Sequence, residues 1–232
     1  LLAKNEEVER FNAFRLSKLQ GQQIAWQSLR QGKEKGEWKQ IPQNLYLKAG
    51  ALVMLLANEK EWDPDTGEAG EMIYANGDLG TLLNPEGDVE LKRTGKVVRV
   101  MPVTRQNLEV PPPGRAKELK QQGKQLVLVC GNMGCRYCSG KRDGECRHAK
   151  YEVVGEITYM PLRCAYATTV HKSQGLTLDQ VQVDFRDRFF ETGGMLYVAL
   201  SRCRGPEGLR LVGSADQFVK RCKVDERVRG WV

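Results

Sequence analysis

Nowhere in the chain do about 18 apolar residues run together, which excludes an ordinary membrane-spanning helix and predicts no membrane partner. The opening residues, Leu1-Leu2-Ala3-Lys4-Asn5, lack both the basic flank and the long apolar stretch of a secretory leader. No initiator Met precedes them, so a trimmed fragment of a longer protein is expected. Equally absent is Gly-x-x-x-x-Gly-Lys-Ser/Thr, the loop whose amides and lysine cradle nucleotide phosphates. Gly32-Lys33, Gly95-Lys96, Gly123-Lys124 and Gly140-Lys141 all lack the following Ser or Thr. The apolar stretch ending at Asp184 continues with Phe185, not with the Glu that a metal- and water-handling acidic pair requires. The chain by itself is therefore expected to hydrolyse no ATP. Internal repeats are also missing.

What is present is a chain of 232 residues, 41% of them apolar, enough for one or two packed cores. Its 36 Lys and Arg against 29 Asp and Glu leave a charge of +7, compatible with a polyanionic partner but also with a plain solvated basic surface. Seven cysteines, an odd number without a secretory signal, argue for a reducing compartment and a local metal site over a disulfide framework. An intracellular location follows as an expectation, cytoplasmic in a prokaryote or phage and nuclear or mitochondrial in a eukaryote.

Along the chain, residues 1–3 suit the end of a buried strand. Asn5 is a plausible helix cap ahead of Glu6 and Glu7, and Val8, Phe11, Leu16 and Leu19 fall in one helical stripe. Residues 21–43 are polar and Gly-containing and read as a mobile connection. An apolar run at 51–56, a turn at Asn76-Gly77, a strand at 79–83, a hairpin around Gly95 and strands near 126–129 and 151–159 predict a small β-barrel. From Cys164 onward the alternation changes to strand at 181–185, helix at 195–200 and strand at 209–212, the signature of an α/β sheet.

Two segments carry chemistry. Residues 165–179 include Thr168-Thr169-Val170-His171-Lys172-Ser173-Gln174-Gly175: hydroxyl, imidazole, ammonium and amide donors on a loop, with a glycine that allows close backbone approach. Such donors suit phosphate oxygens, although an ordinary strand–turn–helix junction can also carry them. Residues 197–202, Tyr-Val-Ala-Leu-Ser-Arg, place Arg202 at a helix end, where an arginine is either a solvated cation or a planar charged fork for a phosphoryl group.

The two segments resemble motifs V and VI of the Pif/RecD-type DNA helicases of superfamily 1B. Weaker likenesses extend over most of the chain: residues 5–19 to the motif IV segment, with Lys4 where Thr is usual; 48–58 and 74–80 to the strands leading into that family's inserted Src-homology-3-like barrel; and 160–163 to the return from it. The resemblance implies an α/β fold, a RecA-like parallel sheet with helices formed by residues 1–44 and 161–232, interrupted by a small Src-homology-3-like β-barrel insertion at 45–160 that carries a cysteine-rich loop. It further implies a C-terminal part of an ATP-dependent helicase moving 5′ to 3′ on single-stranded DNA. ATP and Mg would be held mostly by a missing N-terminal RecA-like domain, with Gly175 and Arg202 facing the nucleotide and Arg202 catalytic. Thr168, Thr169, His171, Lys172, Ser173 and Gln174 would contact DNA. The helicase part of a conjugative relaxase is the enzyme alternative, and a non-catalytic zinc-stabilised nucleic-acid-binding module is the other.

The cysteine cluster is not part of that family pattern. Cys130, Cys135, Cys138 and Cys146, with a tight Cys-x-x-Cys and four nearby glycines, have the spacing of a tetrahedral structural Zn site. His148 can stand in for Cys130; free thiols, a disulfide or an iron–sulfur cluster are the alternatives.

Overall fold

A computed structural model describes residues 1–62, 69–110, 119, 127–130 and 148–223. Their strands, in chain order, are β1 (Gln23–Gln27), β2 (Leu29–Gly32), β3 (Asn44–Lys48), β4 (Leu52–Leu55), β5 (Glu59–Trp62), β6 (Ala69–Tyr74), β7 (Leu79–Leu82) and β8 (Asp88–Leu91). They continue as β9 (Val97–Arg99), β10 (Val103–Glu109), β11 (Val127–Cys130), β12 (His148–Tyr159), β13 (Leu162–Cys164), β14 (Val181–Asp184) and β15 (Leu209–Val212). Helix α1 spans Asn5–Ser17, α2 Met195–Leu200 and α3 Ala215–Arg221.

The chain packs into two units, one of Leu1–Ile24, Tyr46–Val100 and Leu162–Val232, the other of Ala25–Leu45 and Met101–Pro161. Packing thus groups residues 46–100 with the flanking α/β segments, whereas the sequence expectation took 45–160 as one insertion. The fold is mixed α/β with several sheets.

In the first unit, β14 and β15 pair in parallel, from Val181 opposite Leu209 to Asp184 opposite Val212. The chain start lies alongside: the Leu1 amino group donates to Gln182 O, and Asp184 N donates to Leu1 O at 3.1 Å. On its far side Leu2 forms a parallel bridge with Thr169. Side by side, the segments around Thr169, Leu2, β14 and β15 make the parallel α/β layer that the sequence predicts, with residues 1–3 inside it. Its core is apolar: Ala3, Val170, Val181, Val183, Phe185, Phe190, Met195, Leu196 and Ala199 are all buried. The short α2 buries Met195, Leu196 and Ala199, an i, i+1, i+4 set on one face. α3 opens with a capping box, Ser214 accepting from Gln217 N while the Gln217 side chain accepts from Ser214 N. It ends on buried Arg221, whose guanidinium donates to the carbonyls of Arg186 at 2.8 Å and of Asp187 and Gln217 at 3.2 Å. Those bonds offset the cost of burying a permanent cation and fix the 186–191 turn.

The same unit holds an antiparallel sheet in the order β13-β4-β7-β8-β9. In β8, Val89 and Leu91 are buried while Asp88 and Glu90 are not, the alternation of a sheet with one wet face. β5 and β6 form a separate ribbon. The Asn76-Gly77-Asp78 turn before β7 forms as the sequence suggests: Ala75 N donates to Asp78 Oδ2 at 3.0 Å, and Arg93 grips the same carboxylate.

The second unit is β-rich. β12 lies between β10 and β11 and also pairs with β2. Trp38, Ile157 and Tyr159 form its core, with Ile41 and Val103 against them.

Three expectations are corrected. Residues 21–43 are no loose connection: they supply β1, β2 and a 3₁₀ turn at Gly36–Gln40 that buries Trp38. Polar composition concealed these strands because only alternate residues of β1 are partly covered and the rest face water. The cap of α1 is Lys4 rather than Asn5, and no side chain caps the helix. The apolar stripe on α1 does not sink into a core, since none of its residues is buried and Phe11 and Phe14 are exposed.

Candidate functional site

The 168–175 segment begins at a corner. After β13 leaves the antiparallel sheet, the chain turns through 165–167 and enters the parallel layer, where Thr168 O accepts from Leu2 N at 3.1 Å. Ala165 N donates to Leu52 O at 2.9 Å, and Leu52 N donates to the Tyr166 hydroxyl at 3.2 Å, tying the corner to β4. Arg163 reaches forward, its Nη2 lying 3.3 Å from Thr168 Oγ1, and burial pulls its guanidinium below the ordinary arginine range. From the helix side, Asn12 meets Ala167 with both ends of its amide: Ala167 N donates to Oδ1 at 2.8 Å, and Nδ2 donates to Ala167 O at 3.1 Å.

Beyond Val170 the chain makes a 3₁₀ turn at His171–Ser173. Thr168, Thr169 and Ser173 are buried, Ser173 completely. The hydroxyls of Ser173 and Thr169 are engaged inside the turn: Ser173 Oγ donates to Val170 O at 2.7 Å, and Thr169 Oγ1 accepts from Lys172 N at 3.4 Å. His171, Lys172, Gln174 and Gly175 are exposed. The His171 ring sits edge-on to Phe189 with centroids 5.3 Å apart. Gly175 has φ of 82° with open space where a Cβ would point, so the left-handed backbone, and not crowding, selects glycine there. The sequence-predicted residues therefore separate into an exposed set, His171, Lys172, Gln174 and Gly175, and a buried set, Thr168, Thr169 and Ser173.

Arg202 follows α2 and folds back on it, Nε donating to Val198 O at 3.0 Å and Nη2 to Ser201 Oγ at 2.9 Å. Its Nη1 donates to Leu176 O at 3.4 Å, immediately after Gly175. The backbones are laced as well: Leu178 N donates to Arg202 O at 2.8 Å and Arg204 N to Leu178 O at 2.9 Å. Among the described residues no carboxylate pairs with Arg202. A permanent cation bonded among the described residues to neutral oxygens suits an incoming phosphate, because an anionic acceptor adds charge–charge attraction to the hydrogen bond.

Leu176 also touches the antiparallel half of the unit. A Cβ on Gly77 would lie 2.5 Å from Leu176 Cδ2, a side-chain end that can shift, so it is the left-handed φ of 98° more than the contact that favours glycine there. Sequence reading assigned Gly77 to a turn but missed this contact, and it missed Asn12 and Arg163 altogether. The one available signal was a mid-helix asparagine, a residue that competes for backbone hydrogen bonds and needs a reason to sit there.

Among the described residues no cluster of three or more His, Cys, Asp or Glu is placed to hold a metal. Of the expected zinc ligands, Cys135, Cys138 and Cys146 lie outside the described residues, and Cys130 ends β11 directly opposite His148 in β12.

No protein-family model matches the chain. It is 27% identical, over 99% of its length and 36% of the relative's, to the ATP-dependent DNA helicase Pif1 of Psychrobacter sp.. Among solved structures, unliganded Pif1 from Bacteroides sp. superposes with a TM-score of 0.64 at 25% identity, covering 99% of this chain and 43% of that one. Bacteroides Pif1 bound to single-stranded DNA gives 0.58 at 26% identity, covering 97% and 42%. The chain spans less than half the length of the curated relatives it matches. In sequence and in fold, along nearly its whole length, the chain is Pif1-like.

Proposed function

We propose that this chain forms the strand-gripping, arginine-supplying part of an ATP-dependent DNA helicase that moves 5′ to 3′ on single-stranded DNA. The observation that carries the reading is the junction at Leu176. An exposed loop of phosphate-seeking donors and an arginine that pairs with no carboxylate among the described residues meet at Leu176, whose N–H bonds the turn and whose carbonyl accepts from the guanidinium. The 3₁₀ turn keeps Thr169 and Ser173 as its internal struts and presents His171, Lys172, Gln174 and the Gly175 backbone to the phosphates. Contacts to phosphate and not to bases suit an enzyme that must step along any sequence. The solved relative bound to single-stranded DNA supports the choice of ligand.

The nucleotide partner is ATP with Mg, held mainly by a second RecA-like domain bearing the phosphate loop that this sequence does not contain. ATP hydrolysis supplies the free energy for movement. Arg202 is the residue that reaches the transferring phosphoryl group and offsets its charge. The β-rich residues between 45 and 160 correspond in this reading to a Src-homology-3-like insertion. Partial duplexes with a single-stranded tail test the activity: the complete enzyme unwinds those with a 5′ tail and leaves those with a 3′ tail intact. Preference for the 3′ tail would reverse the polarity assignment.

We also assign a structural zinc to the cysteine-rich stretch. The strand register sets Cys130 across from His148, at the point where β11 and β12 lead to the segment containing Cys135, Cys138 and Cys146. Elemental analysis of the purified protein should return about one zinc per chain, as a single tetrahedral site requires. Cys138→Ser should release it, and Cys222→Ser should not. A metal-free protein whose thermal melting is unchanged by added zinc and by chelator would remove the assignment.

A further inference from the structure

We infer that Asn12 is a positioning residue for the 168–175 loop, an inference that rests on the strand-gripping role proposed above. Helix α1 buries none of its residues, so apolar packing does not explain its placement. The Asn12 carboxamide links it to the rest of the unit: it donates to Ala167 O at 3.1 Å and to Cys164 O at 3.4 Å and accepts from Ala167 N at 2.8 Å. Arg15 adds a contact one turn later, its guanidinium 5.1 Å from the centroid of the Tyr166 ring.

The placement matters because Ala167 stands between two sheets. Cys164 still pairs with Val53 in the antiparallel sheet, and Thr168 O already accepts from Leu2 N in the parallel layer. Between them Ala167 has no strand neighbour among the described residues, and the asparagine amide supplies the donor–acceptor pair that such a neighbour would give. Among side chains only Asn and Gln carry a neutral donor and acceptor on one rigid amide, and Asn is the shorter and less mobile. With Ala167 fixed, Thr168 enters the parallel layer in one register, and the 3₁₀ turn that exposes His171 and Lys172 follows three residues later. A loop held in its binding geometry before the strand arrives loses less conformational freedom on contact, and this strengthens binding without any touch to the ligand.

Three variants separate this role from simple support. Asn12→Leu keeps the volume and removes both hydrogen-bonding ends. Asn12→Asp keeps the acceptor for Ala167 N but sets a carboxylate against two carbonyl oxygens. Asn12→Ala removes everything. Amide hydrogen exchange, read peptide by peptide, should accelerate about tenfold in 164–175 for all three, while peptides of β7 and β8 keep wild-type protection. Affinity for oligothymidylate should fall about threefold to tenfold, with the salt slope unchanged because no phosphate contact is lost. Wild-type protection and affinity in Asn12→Leu would overturn the inference, showing that only volume matters. So would loss of protection throughout the unit in all three variants, since Asn12 would then hold the fold and not the loop. Failure of the wild-type chain to bind oligothymidylate at all would remove the proposed DNA role, and the exchange comparison would still decide whether Asn12 fixes the loop.

Discussion

On the proposed function, replacing Arg202 by alanine in the full-length protein should reduce ATP turnover by about a thousandfold or more, the scale set by arginines that stabilise phosphoryl transfer. Affinity for single-stranded DNA should stay within about twofold, because the lost interaction belongs to the transition state and not to the bound strand. The guanidinium rests on Val198 O, Leu176 O and Ser201 Oγ, all neutral acceptors. Reaching a phosphate exchanges these neutral acceptors for anionic ones, and among the described residues no ion pair holds the side chain back. Arg202→Lys should recover little of the rate, since an ammonium has neither the planar fork nor the permanent delocalised charge. Steady-state hydrolysis alongside fluorescence anisotropy reads both quantities on the same samples. Equal losses of turnover and of DNA affinity would assign Arg202 a folding role, through the backbone lacing at Leu178.

The α/β layer was readable because its strands are short apolar runs. The expected strand at 181–185 and helix at 195–200 form, and Val181, Val183, Met195, Leu196 and Ala199 are buried in them. Periodicity misled on α1, whose Phe11 shares a helical stripe with Val8, Leu16 and Leu19 yet remains exposed: a stripe states that a face can be buried, not that this unit buries it. Residues 21–43 failed in the opposite sense, because strands with one wet face and polar residues on both edges of the pattern look like loop until a partner strand is known. At the site, residue types announced the 168–175 segment, but exposure could not be read from them. Thr168, Thr169 and Ser173 are hydroxyl donors on paper, and in three dimensions their hydroxyls face the turn itself or Arg163. Asn12 and Gly77 act across 155 residues or through an absent Cβ, and neither leaves a local pattern. Long-range polar contacts of this kind become visible only once the fold brings their partners together.

Lys172 carries the most direct test of the strand-gripping role. Its side chain is exposed, while its backbone N–H is held by Thr169 Oγ1, so truncation beyond Cβ leaves the turn in place. No carboxylate pairs with it among the described residues, which leaves its charge available to a phosphate. For a single strand, each neutralised phosphate contributes about 0.7 to the dependence of log affinity on log salt. The deciding measurement is a salt titration of binding by wild-type protein and Lys172→Ala, on several mixed-sequence single strands of equal length. The account predicts that Lys172→Ala weakens binding several-fold, by the same factor on every strand, and makes the salt slope shallower by about 0.7. An unchanged affinity and slope, or a loss that depends on base sequence, would contradict it.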